Sequence, residues 1–457
     1  MQENSFSLNI FKFLLCCFLV CVYHVKALEI IDDVKAYKLT ATSEPQIRHH
    51  KKVQQFYIEQ LDREVLIANK TIVVSTKPLF ICKSLESENY YISCLNDANF
   101  PQIRSISLIH KFKGNYVYFL DTDNIEQAIY LAEKFNVKES VRSAQPDMLF
   151  YKNRHSQVSF FNKAVQSPPE SFDLHAYLGF DKKSINLNLK NIRVAVIDSG
   201  FDLSHPQLSH INPVFSWDVD YELPKAIADL SLHKSAAFHG SRVAGLLWAK
   251  RVSNGQMSGQ VQETQSILIK QTELWSSNLW RAFTLSEKHH ADVINISWLQ
   301  PYLVSPLAQY LDYLITDSNE GKGIVIVTAD AHLKPNNRGL ERLENALVVT
   351  SHGYNLKPVS FYWHEQTDIA SPSYIYSVSF NSQKQKERFL TVSASVPITT
   401  AVIAVIKATC PELSALQVAS LLKKTTKKRF DFDVPQGFKV FDPIKIQQVL
   451  SKQACKS

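Results

Sequence analysis

The sequence is short of glycine, with 12 in 457 residues, where about 7% is usual. Turns and close backbone contacts that require glycine must therefore be few. No run of like charge stands out either. The 50 Lys and Arg against 43 Asp and Glu give a net charge of +7 spread along the chain, so nucleic-acid binding is not expected. With 45% hydrophobic and 20% charged residues, the composition excludes a disordered, collagen-like or coiled-coil protein.

Long apolar runs are also missing. The run in the N-terminal segment, Phe13–Tyr23, has about 11 residues, too few for a stable membrane anchor. Lys12 precedes it, and Val25-Lys26-Ala27 places small residues at the two positions that a signal peptidase reads. We predict a signal peptide over residues 1–27, with an uncleaved anchor as the alternative because the charge before the run is weak. We expect a secreted or periplasmic protein with no membrane contact after signal removal.

Seven cysteines are present, and Cys16, Cys17 and Cys21 would leave with the signal peptide. The remaining four, in an exported protein, permit three disulfide pairings. The local pairs, Cys82 with Cys94 and Cys410 with Cys455, are the ones we favour.

Two folded parts are predicted after the signal peptide. Residues 28–152 mix strands with one helix that Asp123 could cap, and residues 153–175 form a polar, proline-broken linker. Residues 176–457 alternate short β-branched runs with helical patterns, which indicates a parallel sheet covered on both faces. The fold class is therefore α/β, a mostly parallel doubly wound sheet preceded by a small α+β unit. The predicted strands are Val65–Ile67, Thr71–Val74, Asn115–Leu120, Val141–Phe150, Ile192–Ile197, Val293–Ile296, Ile324–Val327 and Leu347–Val349.

Three short motifs in the larger part carry chemistry. Asp198 follows a buried strand in Val194-Ala-Val-Ile-Asp198-Ser-Gly200, at the carboxyl edge where α/β sheets build their sites. His239-Gly-Ser-Arg-Val-Ala-Gly245 opens a helix predicted over Val243–Ala249. Ser393-Ala-Ser-Val-Pro397 starts a helix that is apolar nearly all round and hence buried, with Pro397 expected in its opening turn. Each motif alone has a structural explanation, as a turn, a packed histidine or one serine among many.

The order of these residues points to one interpretation. His239 follows Asp198 by 41 residues and Ser393 follows His239 by 154, and Asp, His, Ser is the chain order of subtilisin. The motif Asp198-Ser-Gly-Phe-Asp202-Leu-Ser-His205-Pro and the histidine and serine motifs resemble those of the subtilisin-like serine peptidases. Asp292-Val-Ile-Asn295-Ile-Ser297 is similar to the family's substrate-edge strand. The N-terminal unit is similar to the family's inhibitory propeptide.

The resemblance implies a function and a set of roles. Ser393 would attack the scissile carbonyl, His239 would act as base and then acid, and Asp198 would orient the histidine. The Ser393 N–H would donate to the oxyanion, and the backbone of Ser297, Trp298 and Leu299 would pair with an extended polypeptide substrate. The N-terminal unit would be inhibitor and chaperone. No cofactor and no metal cluster are expected, although structural calcium, frequent in the family, would use loop carbonyls that a sequence does not reveal.

The sequence departs from the family pattern near the oxyanion. His332 occupies the position of the family's oxyanion Asn, and Asp330 lies nearby. Losing such a donor costs about 100–1,000-fold in turnover. Thr391-Val392 replaces the Gly-Thr that precedes the family's serine, and Leu299-Gln300 replaces the glycines of the substrate groove.

Two functions remain open from the sequence. One is a secreted serine endopeptidase made as a proenzyme, which the intact Asp, His and Ser favour. The other is a catalytically impaired subtilisin-like domain that binds peptide or protein without cutting it, which the altered oxyanion stretch favours. A plain α/β domain with coincidental motifs is the third reading.

Overall fold

The computed structural model describes residues 28–32, 35–48, 51–58, 63–82, 92–96, 99–150, 166, 174–178, 188–230, 234–250, 259–298, 302–330, 339–340, 343–359, 367–380, 386–390, 392–431 and 434–450. An antiparallel sheet formed by the first part of the chain packs on the helix Ser276–Lys288 of the second part, which is built around a larger, mainly parallel sheet. The predicted fold class is confirmed. The predicted domain boundaries remain predictions.

The N-terminal sheet has the strand order β1-β2-β4-β5-β8-β7-β6, with β3 added to β4 and β9 to β5, and every pair is antiparallel. Its strands are β1 (Leu28–Asp32), β2 (Lys35–Ala41), β3 (Gln46–Arg48), β4 (Lys51–Ile58), β5 (Arg63–Ser75), β6 (Ile92–Ser93), β7 (Ile103–Phe112), β8 (Asn115–Thr122) and β9 (Val141–Phe150). The two strands predicted at Val65–Ile67 and Thr71–Val74 are halves of the single long strand β5. Helix α1 (Ile125–Asn136) buries its apolar face against this sheet.

The cap of α1 corrects the sequence prediction. Asn124, not Asp123, is the N-cap, and its side chain accepts the Gln127 N–H. Both residue types can cap a helix. Here the Gln127 side chain reaches back to the Asp123 N–H, which leaves Asp123 just outside the helix.

The larger sheet has the strand order β12-β11-β13-β10-β14-β15-β16-β17-β21-β20, and it is parallel from β11 through β21. Its edge strands β12 and β20 are antiparallel to their neighbours, and β18 and β19 form a separate hairpin. The strands are β10 (Arg193–Asp198), β11 (Phe215–Asp218), β12 (Leu223–Pro224), β13 (Gln265–Lys270), β14 (Val293–Ile296), β15 (Val325–Ala329), β16 (Leu347–His352), β17 (Ile369–Pro372), β18 (Ile375–Val378), β19 (Lys386–Phe389), β20 (Thr426–Asp431) and β21 (Val434–Phe441).

Helices connect the strands and cover the sheet. They are α2 (Leu174–Leu178), α3 (Lys234–Ala237), α4 (His239–Trp248), α5 (Ser276–Lys288), α6 (Ser305–Thr316), α7 (Ser318–Gly321), α8 (Val392–Thr409), α9 (Ala415–Lys424) and α10 (Pro443–Leu450). Helix α8 packs against β14–β17 and α4, and α5 lies between the two sheets. Helix α8 is long and apolar enough to span a membrane, but 89% of it is buried inside the protein, as in a core helix.

Two helix starts differ from the prediction. Helix α4 begins at His239 itself rather than at Val243. Pro397 lies inside α8 rather than in its opening turn. Because proline has no N–H, the carbonyl of Ser393, four residues earlier, receives no helical hydrogen bond from residue 397. The helical hydrogen bonding is therefore interrupted at Ser393, the predicted nucleophile.

The predicted Cys82–Cys94 disulfide is confirmed. Cys410 is also disulfide-bonded. Its proposed partner, Cys455, is outside the described residues.

Candidate active site

Asp198 ends β10, in the middle of the parallel sheet. The strand lies between β13 and β14, so the carboxylate is at the carboxyl edge and fully buried. Its Oδ1 accepts the Ser199 N–H at 2.7 Å. A buried carboxylate needs such donors to remain ionised, and a second donor comes from the histidine of the next motif.

His239 is the first residue of α4, and its Nδ1 lies 2.7 Å from Asp198 Oδ1. An ionised carboxylate only accepts, so Nδ1 carries the proton and Nε2 is left with a free lone pair. Gly240 makes this approach possible, because a Cβ there would lie 2.4 Å from the Gly200 carbonyl oxygen and 3.1 Å from Asp198 Cβ. The His239 side chain is 25% exposed and that of Asp198 is 0% exposed, so solvent reaches the imidazole and not the carboxylate.

Ser393 is the second residue of α8 and is half-buried. Its hydroxyl donates to the Ser297 carbonyl oxygen at 3.0 Å. Among the described residues, no hydrogen bond joins Ser393 to His239. The N–H of Ser393 lies in the first helical turn, where backbone donors have no intrahelical acceptor. The three predicted catalytic residues therefore lie at the same edge of the sheet, with Asp198 and His239 already paired.

The predicted substrate edge follows β14. The Ser297 hydroxyl accepts from the Asn295 side-chain amide at 3.0 Å, and the Asn295 side-chain oxygen Oδ1 accepts from the Thr400 hydroxyl of α8 at 3.0 Å. These bonds tie the edge to the helix that carries Ser393. The Trp298 indole turns back into the protein and donates to the Ile197 carbonyl at 2.8 Å. Leu299 and the oxyanion candidate His332 are outside the described residues.

Asp330 directly follows β15 and is buried. The Thr367 hydroxyl donates to its Oδ2 at 2.6 Å. Its own N–H bonds to the Val349 carbonyl of β16. The Asp330 carboxylate is thus hydrogen-bonded by Thr367, in the segment before β17.

The β18–β19 hairpin, which the sequence analysis did not identify, contacts the histidine. The Phe389 ring meets the His239 ring edge-to-face, with centroids 5.4 Å apart. Arg242 of α4 forms an ion pair with Glu387 of the hairpin, and the Ser377 hydroxyl donates to the Arg242 carbonyl at 2.6 Å. In the sequence, Phe389, four positions before Ser393, could have indicated this contact with His239. That inference would have required knowing that the hairpin folds back onto α4.

The N-terminal sheet docks on α5 through a buried carboxylate. Asp147 of β9 is fully buried and accepts from the Ser277 N–H at 2.8 Å, the Ser277 hydroxyl at 2.6 Å and Lys51 Nζ at 2.9 Å. The N-cap residue of α5, Trp275, provides no side-chain cap. Asp147 therefore caps α5 from another part of the chain, where the positive end of the helix favours an anion.

A second polar contact joins β7 to the far end of α5. His110 Nε2 lies 2.9 Å from the Glu287 carboxylate, which also accepts from the Tyr310 hydroxyl at 2.7 Å and the Tyr313 hydroxyl at 3.2 Å. Burial raises the pKa of Glu287, but the ion pair with His110 and the two tyrosine hydroxyls outweigh it and hold that pKa below its usual value. The N-terminal sheet thus makes polar contacts near both ends of α5.

Apolar contacts complete the docking. Trp275 packs in a buried cluster with Val53, Leu66, Ala68 and Leu149 of the N-terminal sheet. Leu149 forms an antiparallel β-bridge with Trp275. Phe150, the last residue of β9, stacks on Tyr302 with centroids 4.4 Å apart. Strand β9 therefore ends beside the carboxyl edge where the three candidate residues lie.

Among the described residues, no group of three or more His, Cys, Asp or Glu is placed to hold a metal ion. The edge brings together a serine hydroxyl, an imidazole and a buried carboxylate.

Comparison with known proteins agrees with this architecture. The model of the subtilase family matches residues 189–439. Subtilisin-like protease 2 of Plasmodium falciparum is 24% identical over 353 residues, covering 72% of this chain and 25% of the relative. The chain thus spans about a quarter of that relative. The solved structure of fervidolysin from Fervidobacterium pennivorans, a keratinolytic enzyme related to subtilisin, is 15% identical, has a TM-score of 0.57, and covers 88% of this chain and 62% of its own.

Proposed function

Because the chain belongs to the subtilase family of peptidases, we propose that it is a serine endopeptidase that cleaves polypeptides with Asp198, His239 and Ser393. The observation that carries the proposal is the 2.7 Å bond from His239 Nδ1 to the buried Asp198. That bond leaves Nε2 as the only ring nitrogen able to take a proton. Acyl transfer needs a histidine with this tautomer to accept the proton of the serine hydroxyl.

The reaction proceeds in two halves. The Ser393 hydroxyl leaves the Ser297 carbonyl, gives its proton to His239 Nε2, and its oxygen attacks the scissile carbonyl carbon. The tetrahedral intermediate collapses, the C–N bond breaks, and the same proton passes from His239 to the leaving amine. Water then attacks the acyl-enzyme and gives a proton to His239, which passes it to Ser393 as the carboxylic acid product leaves. Asp198 stays ionised and stabilises the imidazolium at each stage. No cofactor takes part.

The Ser393 N–H is the first proposed oxyanion donor, since it lies in the opening turn of α8. His332 is proposed as the second donor, in place of the family's Asn. An imidazole N–H can donate, but it sits on a larger ring. We expect turnover below that of a typical member, by up to the roughly 100–1,000-fold that losing one donor costs.

The substrate is proposed to lie extended against Ser297, Trp298 and Leu299 as an added strand. The tie from Asn295 to Thr400 supports this placement, because it fixes the distance between the edge and the helix bearing Ser393. The Trp298 indole, held by the Ile197 carbonyl, would form a wall of the groove rather than a moving part.

The protein is further proposed to be a secreted proenzyme. Residues 1–27 would be the signal peptide and residues 28–152 the inhibitor and folding chaperone, separated by the linker 153–175 from the catalytic domain. The support is the docking on α5, where Asp147 accepts from the Ser277 N–H and His110 Nε2 lies 2.9 Å from the Glu287 carboxylate. Processing within the linker would free the carboxyl edge.

The second candidate function is a peptide-binding domain without catalysis. One observation favours it: the Ser393 hydroxyl bonds to the Ser297 carbonyl and not to His239. In unliganded enzymes such bonds are often long and tighten only with substrate, so a chemical test is needed.

Labelling with a fluorophosphonate probe is that test, because the probe reacts only with an activated serine. The wild type should be labelled, Ser393→Ala should not, and His239→Gln should be labelled far more slowly. Ser204→Ala, which alters an exposed serine near the same edge, is the matched control and should label like the wild type. Equal, negligible labelling of all four would support the binding domain.

A further inference from the structure

The β18–β19 hairpin contacts the proposed base through one aromatic ring. Phe389 is the last residue of β19 and is 4% exposed. Its ring meets the His239 ring edge-to-face, with centroids 5.4 Å apart and ring planes at 81°. Aromatic pairs favour this arrangement, because the electropositive edge of one ring meets the electron-rich face of the other. The contact is therefore attractive, and its strength depends on how the imidazole is oriented.

Polar contacts hold the hairpin against α4. Arg242 of α4 forms an ion pair with Glu387 of β19. The Ser377 hydroxyl donates to the Arg242 carbonyl at 2.6 Å, and the Ser379 hydroxyl donates to the Glu387 carboxylate at 3.1 Å. Gly245 allows α4 to come this close, since a Cβ there would lie 2.4 Å from the Ser377 Oγ. The hairpin therefore presents the Phe389 ring from a fixed position.

Two contacts on one face of β19 restrain the first turn of α4. Strand alternation puts Glu387 and Phe389 on the same side of the strand. Their partners, Arg242 and His239, are three residues apart and so are neighbours on one side of the helix. The Phe389 centroid also lies 5.8 Å from the Arg242 guanidinium carbon.

Asp198 restrains the histidine at Nδ1, where the bond to Oδ1 is 2.7 Å long. A hydrogen bond tolerates a range of angles, so this bond alone leaves the imidazole able to pivot about Nδ1. Such a pivot displaces Nε2, which must come within about 2.6–3.2 Å of the serine oxygen to take its proton. Among the described residues, no hydrogen bond from Ser393 holds Nε2. A ring packed against the imidazole provides a second restraint.

The place of Phe389 in the chain adds to its effect. Phe389 ends β19 four residues before Ser393, and the chain leads from β19 into α8. The contact with His239 therefore joins the segment that carries the nucleophile to the helix that carries the base.

We propose that Phe389 is a positioning residue that holds the His239 imidazole in the orientation in which Nε2 can take the proton of Ser393. The inference rests on the proposed peptidase function and goes beyond it, by giving a role to a residue outside the three proposed catalytic ones. The attraction of one edge-to-face pair corresponds to about 3–10-fold in rate.

The test is the maximal rate at which a fluorophosphonate labels Ser393 in the full-length protein, because this reaction needs the base but no known substrate. Phe389→Leu, which keeps an apolar side chain without the ring, should lower that rate about 3–10-fold. The probe concentration that gives half the maximal rate should stay unchanged, since the loss lies in the chemical step and not in binding.

A double-mutant cycle shows whether Phe389 acts through the histidine. In the His239→Gln background, which lacks the base, adding Phe389→Leu should change the slow labelling rate by less than about 2-fold. A packing effect that is independent of His239 would instead lower the rate by the same factor in both backgrounds.

Tyr376→Leu is the matched control, because it removes a ring from the opposite face of the same hairpin. Tyr376 pairs with Arg388 across the hairpin, and strand alternation places Arg388 on the face of β19 that does not bear Phe389. This variant should label like the wild type. Glu387→Gln weakens the attachment of the hairpin to α4 without removing a ring, and it should also lower the rate. It keeps the inference testable if Phe389→Leu does not fold.

Each contrary outcome is distinct. An unchanged labelling rate in Phe389→Leu, or in Glu387→Gln where Phe389→Leu does not fold, overturns the inference and leaves the peptidase function standing. An equal loss in Tyr376→Leu, or the same loss in the His239→Gln background, also overturns it. A wild type that is not labelled overturns the proposed function, and this inference with it.

Discussion

The docking of the N-terminal sheet depends most on Asp147. We expect Asp147→Ala to weaken the attachment of this sheet to the rest of the protein strongly, because three donors lose their acceptor at once. Two of them belong to Ser277 and the third is Lys51. Burial already lowers the pKa of the Lys51 ammonium, and Asp147 is the main opposing charge.

The magnitude follows from what is left behind. Removing one partner of a buried ion pair typically costs about 3–5 kcal/mol, because the remaining charge stays buried and uncompensated. The lost cap of α5 is included in that cost, since the same carboxylate provides it. Asp147→Asn keeps the shape and one acceptor oxygen, so its effect should be smaller but of the same sign.

The assay is urea unfolding of the intact chain in the Ser393→Ala background, where no self-cleavage can occur. Tryptophan fluorescence reports detachment, because Trp275 is 1% exposed beneath the N-terminal sheet. The control is Asp121→Ala, whose ion pair with Lys70 at 3.3 Å is partly exposed and should contribute about 0–1 kcal/mol. If Asp147→Ala shifts the first transition no more than Asp121→Ala, the proposed role of the carboxylate in docking is wrong.

Two further predictions concern the body of the protein. Gly240→Ala should lower kcat and cost about 1–3 kcal/mol of stability, because its Cβ would lie 2.4 Å from the Gly200 carbonyl oxygen; full activity in that variant would show that α4 can shift without disturbing His239. Burial lowers the pKa of His352 from 6.5 to about 4. Between these two pH values, the unfolded chain is protonated at this histidine and the folded chain is not. The stability that this pKa difference governs is greatest above pH 6.5 and is lost as the pH falls toward 4, by about 1.6 kcal/mol between pH 6.5 and pH 5. His352→Asn keeps a donor for the Gly353 carbonyl but does not titrate, and the urea midpoint of this variant should vary less with pH than that of the wild type; parallel curves would contradict the assignment.

The sequence was most informative where burial and local pattern coincide. The apolar run at Val293–Ile296 became a strand with the same bounds, because strands covered on both faces require continuous β-branched or apolar stretches. The strand predicted at Val141–Phe150 also has the same bounds. The pairing of Asp198 with His239 was implied by the resemblance of their motifs to those of the subtilisin-like serine peptidases, and in the structure His239 Nδ1 lies 2.7 Å from Asp198 Oδ1.

Contacts across long sequence separations were not predictable in the same way. The bonds from Asp147 to Ser277 link residues 130 positions apart, and no periodicity signals them. The β18–β19 hairpin mixes charged and aromatic residues without the alternation of a half-buried strand, so its contact with His239 was missed. The position of Pro397 inside α8 was also not predicted. The rule against internal proline assumes that the carbonyl four residues earlier requires a helical partner.

The central claim is that Ser393 is a working nucleophile that processes its own chain. The most direct measurement is the intact mass and N-terminal sequence of the exported protein beside Ser393→Ala. The account predicts that the wild type loses its N-terminal unit by a cut within the linker, while Ser393→Ala keeps that unit. Full-length protein from both, or the same cut in both, would contradict self-processing by Ser393.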